Sequence, residues 1–251
     1  MAVTYQDVVR ANGPFASWAF TETSGLDFVP WIGGAHLTGH NAFLYQQTGP
    51  FAGAFALTAN TTGYLTLPFP GGGVAPWTVE FWLKLGAYPP AATVKPAHSG
   101  NQTTPNGAGF YILTSGVWHF QVIPVSDTTL TALTPNTGWH LVQYGHTDAT
   151  GTSLFLAIDG QIVSTRTLVG LTAANPQSWG FLADAVGALP CTSASISYPA
   201  VYPSVFTAPN LLSTFLAATD PTSALSLTRG AVTTIDNDLL QQILAAVRRT
   251  F

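Results

Sequence analysis

A period of two in hydrophobic character marks residues 138–163. Leucine or isoleucine stands at every second position of residues 154–158, which places an aliphatic row on one face of a strand. Asp159 and Gly160 follow directly and precede another apolar run. This pair favours a type I′ hairpin turn, in which both central residues have positive φ. With a further strand from Trp139, the region predicts three antiparallel strands and an all-β architecture.

The segment 77–85 shows the same period of two. The row that is predicted to face the core contains Val79, Phe81, Leu83 and Leu85. The row on the opposite face contains Glu80, Trp82 and Lys84. We expect Trp82 to be exposed on this face and Glu80 to lie at the rim or to pair across strands. Trp18 lies in a strand predicted at residues 15–20 and is expected in the core.

Helical signals occur at three places. Residues 5–14 predict one short helical turn that ends at Asn12-Gly13-Pro14. Thr207 and Pro209 fit the N-cap and first turn of a short helix after the last strand. The segment 233–251 has acids at its start, arginines at its end, and apolar residues at helical spacing. These apolar residues are Leu239, Leu240, Ile243, Leu244 and Val247.

The helix of the last segment leads us to divide the chain in two. Residues 1–226 are predicted to form the β-sandwich, and residues 227–251 an appended tail. A helix of this length is marginal in isolation, so its broad apolar stripe must pack on another surface. We expect this surface to belong to another subunit of an assembly. The alternative is that the helix folds back on its own sandwich.

Several segments resemble one known family. They are Trp139-His140 with the strand, Gly-containing loop and Asp159-Gly160 turn that follow, the opening Ala11-Asn-Gly-Pro with its aromatic strand, and Thr78-Val-Glu-Phe-Trp-Leu-Lys. The chain is similar in these segments to laminin-G-like, concanavalin-A-like jelly-roll domains, of the kind found in virion proteins of tailed bacteriophages. The resemblance implies an antiparallel jelly-roll sandwich with an appended C-terminal helix. Ser197 and Tyr198 stand where the family typically has an acidic pair.

The composition points to an assembly. Charged residues make up 7% of the chain, compared with roughly 25% in ordinary soluble proteins. A surface with so few charges is poor at keeping monomers apart. The net charge of −4 and the seven Lys and Arg offer no basic patch, so nucleic-acid binding is not expected. The longest apolar run is too short for a membrane span, so insertion is not expected either. The N-terminal sequence lacks the pattern of a signal peptide, and we expect a protein made in the cytoplasm.

Metal and cofactor signals are weak. His36 and His40 stand four residues apart, but Gly39 lies between them in strand-and-turn sequence and no third ligand is near. Asp148 and Asp159 are isolated, whereas calcium needs six to eight oxygen ligands. Cys191 is the single cysteine, which excludes an internal disulfide. We therefore predict no metal and no cofactor.

A function follows by exclusion. A glycosidase of this fold needs paired carboxylates, and the chain has two glutamates, Glu22 and Glu80, without the expected pattern. We interpret the chain as a non-enzymatic structural protein of a bacteriophage particle, in the tail, the minor tail or as a capsid decoration. Other virion subunits, in a homo-oligomer or symmetric assembly, are its expected partners.

Two alternatives remain at this point. The first is a carbohydrate-binding module that recognises a glycan of the host surface, and the second is a glycoside hydrolase. The long polar loop at residues 88–109 and the outer face of the neighbouring strand suggest where a glycan would bind. The candidate carbohydrate-binding residues are Trp82, His98, Asn101 and Gln102.

Overall fold

The computed structural model describes residues 4–68, 77–100, 108–122, 126–130, 136–147, 153–167 and 178–220. These residues contain fourteen strands: β1 (Ala16–Ser17), β2 (Asp27–Phe28), β3 (Leu37–Thr48), β4 (Phe55–Leu67), β5 (Thr78–Lys84), β6 (Val94–Ser99), β7 (Ala108–Ile112), β8 (Trp118–Val122), β9 (Ser126–Leu130), β10 (Trp139–His146), β11 (Ser153–Ile158), β12 (Gln161–Thr167), β13 (Trp179–Phe181) and β14 (Ser195–Tyr202). The described helices are α1 (Tyr5–Ala11) and α2 (Ala208–Thr219).

Strand β4 belongs to both halves of the sandwich. Its residues Leu57 and Thr58 pair with β14, whereas Leu65 and Leu67, nearer its end, pair with β13. The strands therefore run β12-β11-β10-β5-β14-β4 in a front sheet and β4-β13-β6-β7-β8-β9 in a back sheet, with β3 paired along β4. All these pairings are antiparallel. The predicted antiparallel all-β sandwich is confirmed.

The inner core lies between the two sheets. The predicted inward row of residues 79–85 is buried there. The Phe81 ring lies 5.6 Å from Phe181 and 6.3 Å from Phe110, both on the back sheet. Trp18 is also fully buried in this core, as expected. Burial of such rings contributes about 1.5–3 kcal/mol each, which makes this core the main source of stability.

A second core covers the outer face of the front sheet. The helices α1 and α2 and the hairpin loop between β3 and β4 pack on this face. Trp82 lies in the middle of it, with the rings of Tyr5, Phe51 and Phe215 at 6.2, 6.3 and 6.1 Å. The expectation that Trp82 is exposed was wrong, because this additional layer leaves it only 2% exposed.

Both helices begin after a threonine N-cap residue. Thr4 and Asp7 form a capping box at the start of α1. Thr207 is the N-cap residue of α2, and Pro209 lies in its first turn, which confirms the predicted short helix. Among the described residues, no helix has the length and apolar content needed to cross a membrane. The predicted tail helix with Leu239, Leu240, Ile243, Leu244 and Val247 lies outside the described residues, as does the whole predicted tail at 227–251.

The turn between β11 and β12 is the predicted hairpin turn. Asp159 and Gly160 have φ values of +53° and +78°, as a type I′ turn requires. A Cβ atom on Gly160 would lie 3.0 Å from the Cα of Leu212 and 3.2 Å from the Cβ of Phe215. Gly160 therefore allows both the turn and the close approach of α2.

Glu80 is the polar centre of the second core. Its Oε1 accepts hydrogen bonds from the Tyr5 and Tyr202 hydroxyl groups at 2.8 and 3.1 Å, and its Oε2 accepts one from Gln143 Nε2 at 2.7 Å. The side chain is fully buried, so the rim alternative was wrong, whereas the bond to Gln143, its direct partner on β10, confirms the cross-strand alternative. Burial raises the pKa of Glu80 to about 7, although its three hydrogen bonds oppose this rise. A carboxyl group thus ties α1 to three strands of the front sheet.

Replacing Glu80 by glutamine should remove a pH dependence of stability. Folded Glu80 holds its proton up to about pH 7, whereas an unperturbed carboxyl releases it near 4.5, so the folded state binds more protons between these values. The stability that Glu80 contributes through this pKa difference is fully present below pH 4.5 and is lost as the pH rises through 7. We expect the unfolding free energy of Glu80→Gln, relative to the wild type, to rise by about 3 kcal/mol from pH 4.5 to 8.

Denaturant titrations across this pH range measure the difference. In Glu80→Gln, the new amide at position 80 can replace the lost contact with Gln143. Gln143 Oε1 has no hydrogen-bond partner, and a rotation of the Gln143 amide turns this oxygen toward the new donor. Glu80→Ala is the control, because it leaves three buried donors without an acceptor and should destabilise the protein at every pH. Parallel curves for the wild type and Glu80→Gln would contradict the assignment of the titration to Glu80.

Candidate functional site

Five residues from five adjacent strands form one row across the front sheet. Direct cross-strand pairs connect them in the order Leu44, Thr58, Ser195, Lys84 and Trp139. We call this set the outer row. Because neighbouring strands lie about 4.8 Å apart, the span from Thr58 to Trp139 is about 14 Å. The outer row is therefore long enough to contact a short linear ligand along its length.

The outer row faces away from the inner core. Lys84 stands between Leu83 and Leu85, which are buried in that core, so the alternation of the strand turns Lys84 outward, where it is exposed. Leu44 is 50% exposed at one end. Trp139 is partly buried at the other end, where it packs against the second core. The outer row is thus the part of this face that the helices leave open.

The chemistry of the outer row is mixed. The hydroxyl groups of Thr58 and Ser195 lie 2.7 Å apart and are hydrogen-bonded to each other. A hydroxyl pair of this kind keeps further lone pairs for an external donor. Trp139 adds the apolar face of an indole ring. Lys84 adds an ammonium group with three donors. Stacking, neutral hydrogen bonding and a positive charge are therefore available within one line.

A shallow depression of about 440 Å³ lies at the tip of the same β3–β4 hairpin. Its lining includes Gln46, Gln47 and Phe55, and the Phe55 side chain is 37% exposed. The Gln46 amide donates to Thr21 O, and the Gln47 amide donates to Tyr45 O. These bonds fix both amides, whose carbonyl oxygens can accept further hydrogen bonds. The depression offers further acceptors on the same hairpin that carries Leu44 and Thr58.

The start of β10, and with it Trp139, is held by the Asp159 turn. Asp159 Oδ2 lies 2.8 Å from His140 Nδ1, and Oδ1 accepts the Leu141 N–H at 2.9 Å. The Asp159 N–H in turn donates to Leu141 O at 2.8 Å. Three hydrogen bonds thus fix the two residues that follow Trp139. Asp159 acts as a positioning residue here, besides forming the predicted turn.

A second partly exposed aromatic surface lies where β3 and β4 join the back sheet. The rings of His40 and Tyr64 stack with centroids 4.4 Å apart and planes 9° apart. His40 Nε2 lies 2.9 Å from Thr66 Oγ1. This surface offers a stacked pair and a hydroxyl group, but it has no cation among its described residues. It is the alternative to the outer row as a ligand surface.

The remaining sequence-based candidates do not form a surface site. His98 is fully buried on β6, where Gly180 and Gly109 flank it on the neighbouring strands and the backbone of residues 183 and 184 lies close over Gly180. Burial, with a smaller effect of nearby Lys95, lowers the pKa of His98 to about 3. His98 as a glycan contact was therefore wrong. Asn101 and Gln102 lie outside the described residues.

The covering segment around Asp184 forms a second buried polar group. Asp184 Oδ1 accepts the N–H groups of Val186 and Ala188 at 3.1 and 2.8 Å. Lys95 is 1% exposed, and burial lowers its pKa although Asp184 opposes this effect. Lys95 Nζ and Asp184 Oδ2 have no hydrogen-bond partner. This cluster holds residues 184–188 on the back sheet and is closed to solvent.

The other polar residues considered from the sequence form hydrogen bonds within the protein. Glu22 Oε1 accepts the Val29 N–H at 2.9 Å, and His36 Nδ1 lies 2.7 Å from Asp27 Oδ1. Ser197 donates to Phe55 O at 2.6 Å, and the Tyr198 hydroxyl accepts from Gln6. In the part of the chain that the structure describes, no group of three His, Cys, Asp or Glu side chains is placed to hold a metal ion.

Sequence reasoning missed the outer row, although it placed Lys84 opposite the core and identified Trp139 as the start of a strand. The missing information was the register between strands that are distant in the chain. Ser195 and Lys84 are paired, for example, although more than 100 residues separate them. The available signal was Lys84 itself, a cation on the face of its strand that the period of two turns away from the core.

Comparison with known proteins supports the fold alone. No protein-family model and no curated protein matches the sequence. A sialidase from Trypanosoma rangeli is 13% identical with a TM-score of 0.65, over 82% of this chain and 33% of the sialidase. The receptor binding domain of botulinum neurotoxin C/D mosaic serotype is 11% identical with a TM-score of 0.59, over 81% of this chain and 51% of that domain.

A mutant of the Trypanosoma rangeli sialidase that displays trans-sialidase activity gives a similar result, with 15% identity and a TM-score of 0.66. The chain thus spans about a third of the length of the sialidases that it matches. These similarities confirm the expected concanavalin-A-like jelly-roll sandwich.

Replacing Asp159 by alanine should destabilise the start of β10. The change removes two side-chain hydrogen bonds and places alanine at a positive φ, so we expect the unfolding free energy to fall by about 2–4 kcal/mol. Asp159→Asn is the matched control, because asparagine tolerates this φ and keeps one acceptor oxygen. Denaturant titration of both variants measures the difference. A loss below about 1 kcal/mol in Asp159→Ala would show that the side-chain bonds contribute little.

Proposed function

We propose that this chain is a non-enzymatic carbohydrate-binding sandwich whose outer row contacts a glycan. The observation that carries the proposal is the alignment of Trp139, Lys84, Ser195 and Thr58 on one open line of the front sheet. Sugar rings present apolar C–H faces and a rim of hydroxyl groups, and the outer row offers an aromatic ring beside polar donors and acceptors. The rigid sheet preorganises these groups before the ligand arrives.

The structural neighbours are consistent with this proposal. One Trypanosoma rangeli sialidase structure is described as a complex with sialic acid, and the botulinum neurotoxin neighbour is a receptor binding domain. The shared fold occurs in proteins that handle sugars or receptors. Because a fold hosts many functions, the proposal rests on the outer row and not on this likeness.

The absence of hydrolysis is part of the proposal. Glycosidases place two carboxyl groups on either side of the scissile bond. The carboxyl group of Glu80 is fully buried under α1, and Glu22, the other glutamate, is bonded to the backbone of Val29. Neither lies on the outer row. A glycan on this surface would be bound and released unchanged.

A second candidate function comes from the composition and the C-terminal sequence. A charged fraction of 7% favours a protein that is held in an assembly. We retain the hypothesis that the chain is a structural component of a bacteriophage virion, in the tail or on the capsid, where it contacts other subunits or the host surface. The two functions are compatible, because a virion protein can carry a glycan-binding domain.

Replacing Trp139 by alanine should weaken glycan binding about tenfold, corresponding to about 1.4 kcal/mol, because it removes the stacking surface. The measurement is a glycan array of neutral and acidic oligosaccharides, followed by titration calorimetry with the best ligand. Tyr64→Ser is the control for the alternative aromatic surface and should leave affinity unchanged. If Tyr64→Ser abolishes binding and Trp139→Ala does not, the outer row is not the site. Release of reducing sugar by the wild type would contradict the non-enzymatic assignment.

Replacing Leu240, Ile243 and Leu244 by serine tests the assembly hypothesis. The substitutions remove the middle of the predicted apolar stripe. We expect the sandwich to keep its thermal unfolding midpoint and the chain to be lost from purified particles. If the variant unfolds as a whole, the helix packs on its own sandwich. If it is incorporated normally, the tail does not hold the protein in an assembly.

A further inference from the structure

Lys84 differs from the other cations that the structure describes. Arg10 lies over the Trp31 ring at 5.4 Å from its centroid, Lys95 is 1% exposed, and Arg166 has an interaction within the protein. Lys84 is exposed and has no hydrogen bond or ion pair with any other described residue. In the part of the chain that the structure describes, an unpaired cation thus lies on the outer row.

The neighbours of Lys84 on the outer row are uncharged. Ser195 and Trp139 are its direct cross-strand partners, and Thr58 is the next residue beyond Ser195. No carboxylate among the described residues of the outer row competes for the ammonium group. Because no carboxylate of the outer row neutralises the ammonium group, its attraction for an anion is weakened mainly by dissolved salt.

We infer that the outer row is selective for acidic oligosaccharides, with the Lys84 ammonium group binding a sugar carboxylate while the Trp139 ring and the Thr58–Ser195 hydroxyl pair contact the neutral parts of the same ligand. This inference rests on the proposed function. An ammonium group pairs with a carboxylate through charge-assisted hydrogen bonds, which are stronger than bonds to neutral hydroxyl groups. The lysine therefore supplies the discrimination between acidic and neutral sugars.

The geometry favours a sugar over other anions. Trp139 and Lys84 are adjacent across the strands, so their Cα atoms lie about 5 Å apart. An acidic sugar carries a carboxylate beside a ring with an apolar face, and it can use both groups at once. Inorganic phosphate would use the lysine alone. An acidic peptide would leave the hydroxyl pair and the indole without a matched partner.

The test compares sialyllactose with lactose, which lacks the acidic sugar, by titration calorimetry of the intact chain at low salt. We expect sialyllactose to bind at least about tenfold more tightly. The preference should decrease as salt is raised, because the pair is exposed to solvent. Lys84→Gln should reduce sialyllactose binding to the level of lactose, and Lys84→Arg should retain the preference. Arg10→Gln is the matched control, an exposed cation on α1 whose loss should change neither affinity.

The outcomes separate this inference from the proposed function. Equal affinities for the two sugars, unchanged in Lys84→Gln and reduced in Trp139→Ala, would overturn acid selectivity and leave the carbohydrate site in place. No binding of any sugar on the array or in titration would overturn both. Binding of poly-glutamate or inorganic phosphate with the affinity of sialyllactose would overturn the sugar selectivity, because the lysine would then act as a general anion site. A second acidic probe, trigalacturonic acid, should also exceed lactose if the carboxylate is the recognised group.

Discussion

The front sheet is buried on both faces over most of its area, and this constraint determines where the molecule can meet a ligand. The inner face packs on the back sheet, and the outer face packs under α1, α2 and the β3–β4 loop. Residues on the covered part must be apolar or must have internal hydrogen bonds, as Glu80 does. Polar groups that serve a ligand can remain only along the uncovered margin. The outer row occupies this margin.

The same constraint explains why the front sheet is a suitable platform. The strands β5, β10 and β14 are held by cores on both sides, so the outer row shares a backbone that packing has already fixed. The Asp159 turn adds a local clamp at the start of β10, and α2 packs against Gly160 of that turn. Trp139 thus depends on a turn, a helix and a strand for its position. Preorganisation of this kind lowers the entropy that binding has to overcome.

Much of the fold could be predicted from the sequence, because its signals are local. The alternation of residues 79–85, the positive-φ pair Asp159 and Gly160, and the N-cap at Thr207 each follow from a few neighbouring residues. The position of Trp82 could not be predicted in this way. The period of two correctly placed it on the face opposite the core, but it carries no information on which other elements cover that face.

The candidate site was less accessible to sequence reasoning than the fold. The outer row joins residues 44, 58, 84, 139 and 195, which meet only through the register of five strands. His98 shows the opposite error, because it lies within the loop predicted at residues 88–109, which suggested exposure, whereas this part of the chain forms the buried strand β6, and Gly180 beside His98 lets residues 183 and 184 approach closely. In both cases the deciding information was the long-range packing of backbone segments.

The contacts of α1 also have a consequence for the order in which the chain folds during synthesis. Tyr5 is synthesised before its hydrogen-bond acceptor Glu80, before Gln143 and Tyr202, which bond to the same carboxyl group, and before α2, against which α1 packs. At about 5–20 residues per second, the ribosome needs on the order of 10–40 s to supply those partners. During this interval the apolar face of α1 has no native surface to cover it. The helix α1 is therefore made before β5, β10, β14 and α2, but it reaches its native place only after them.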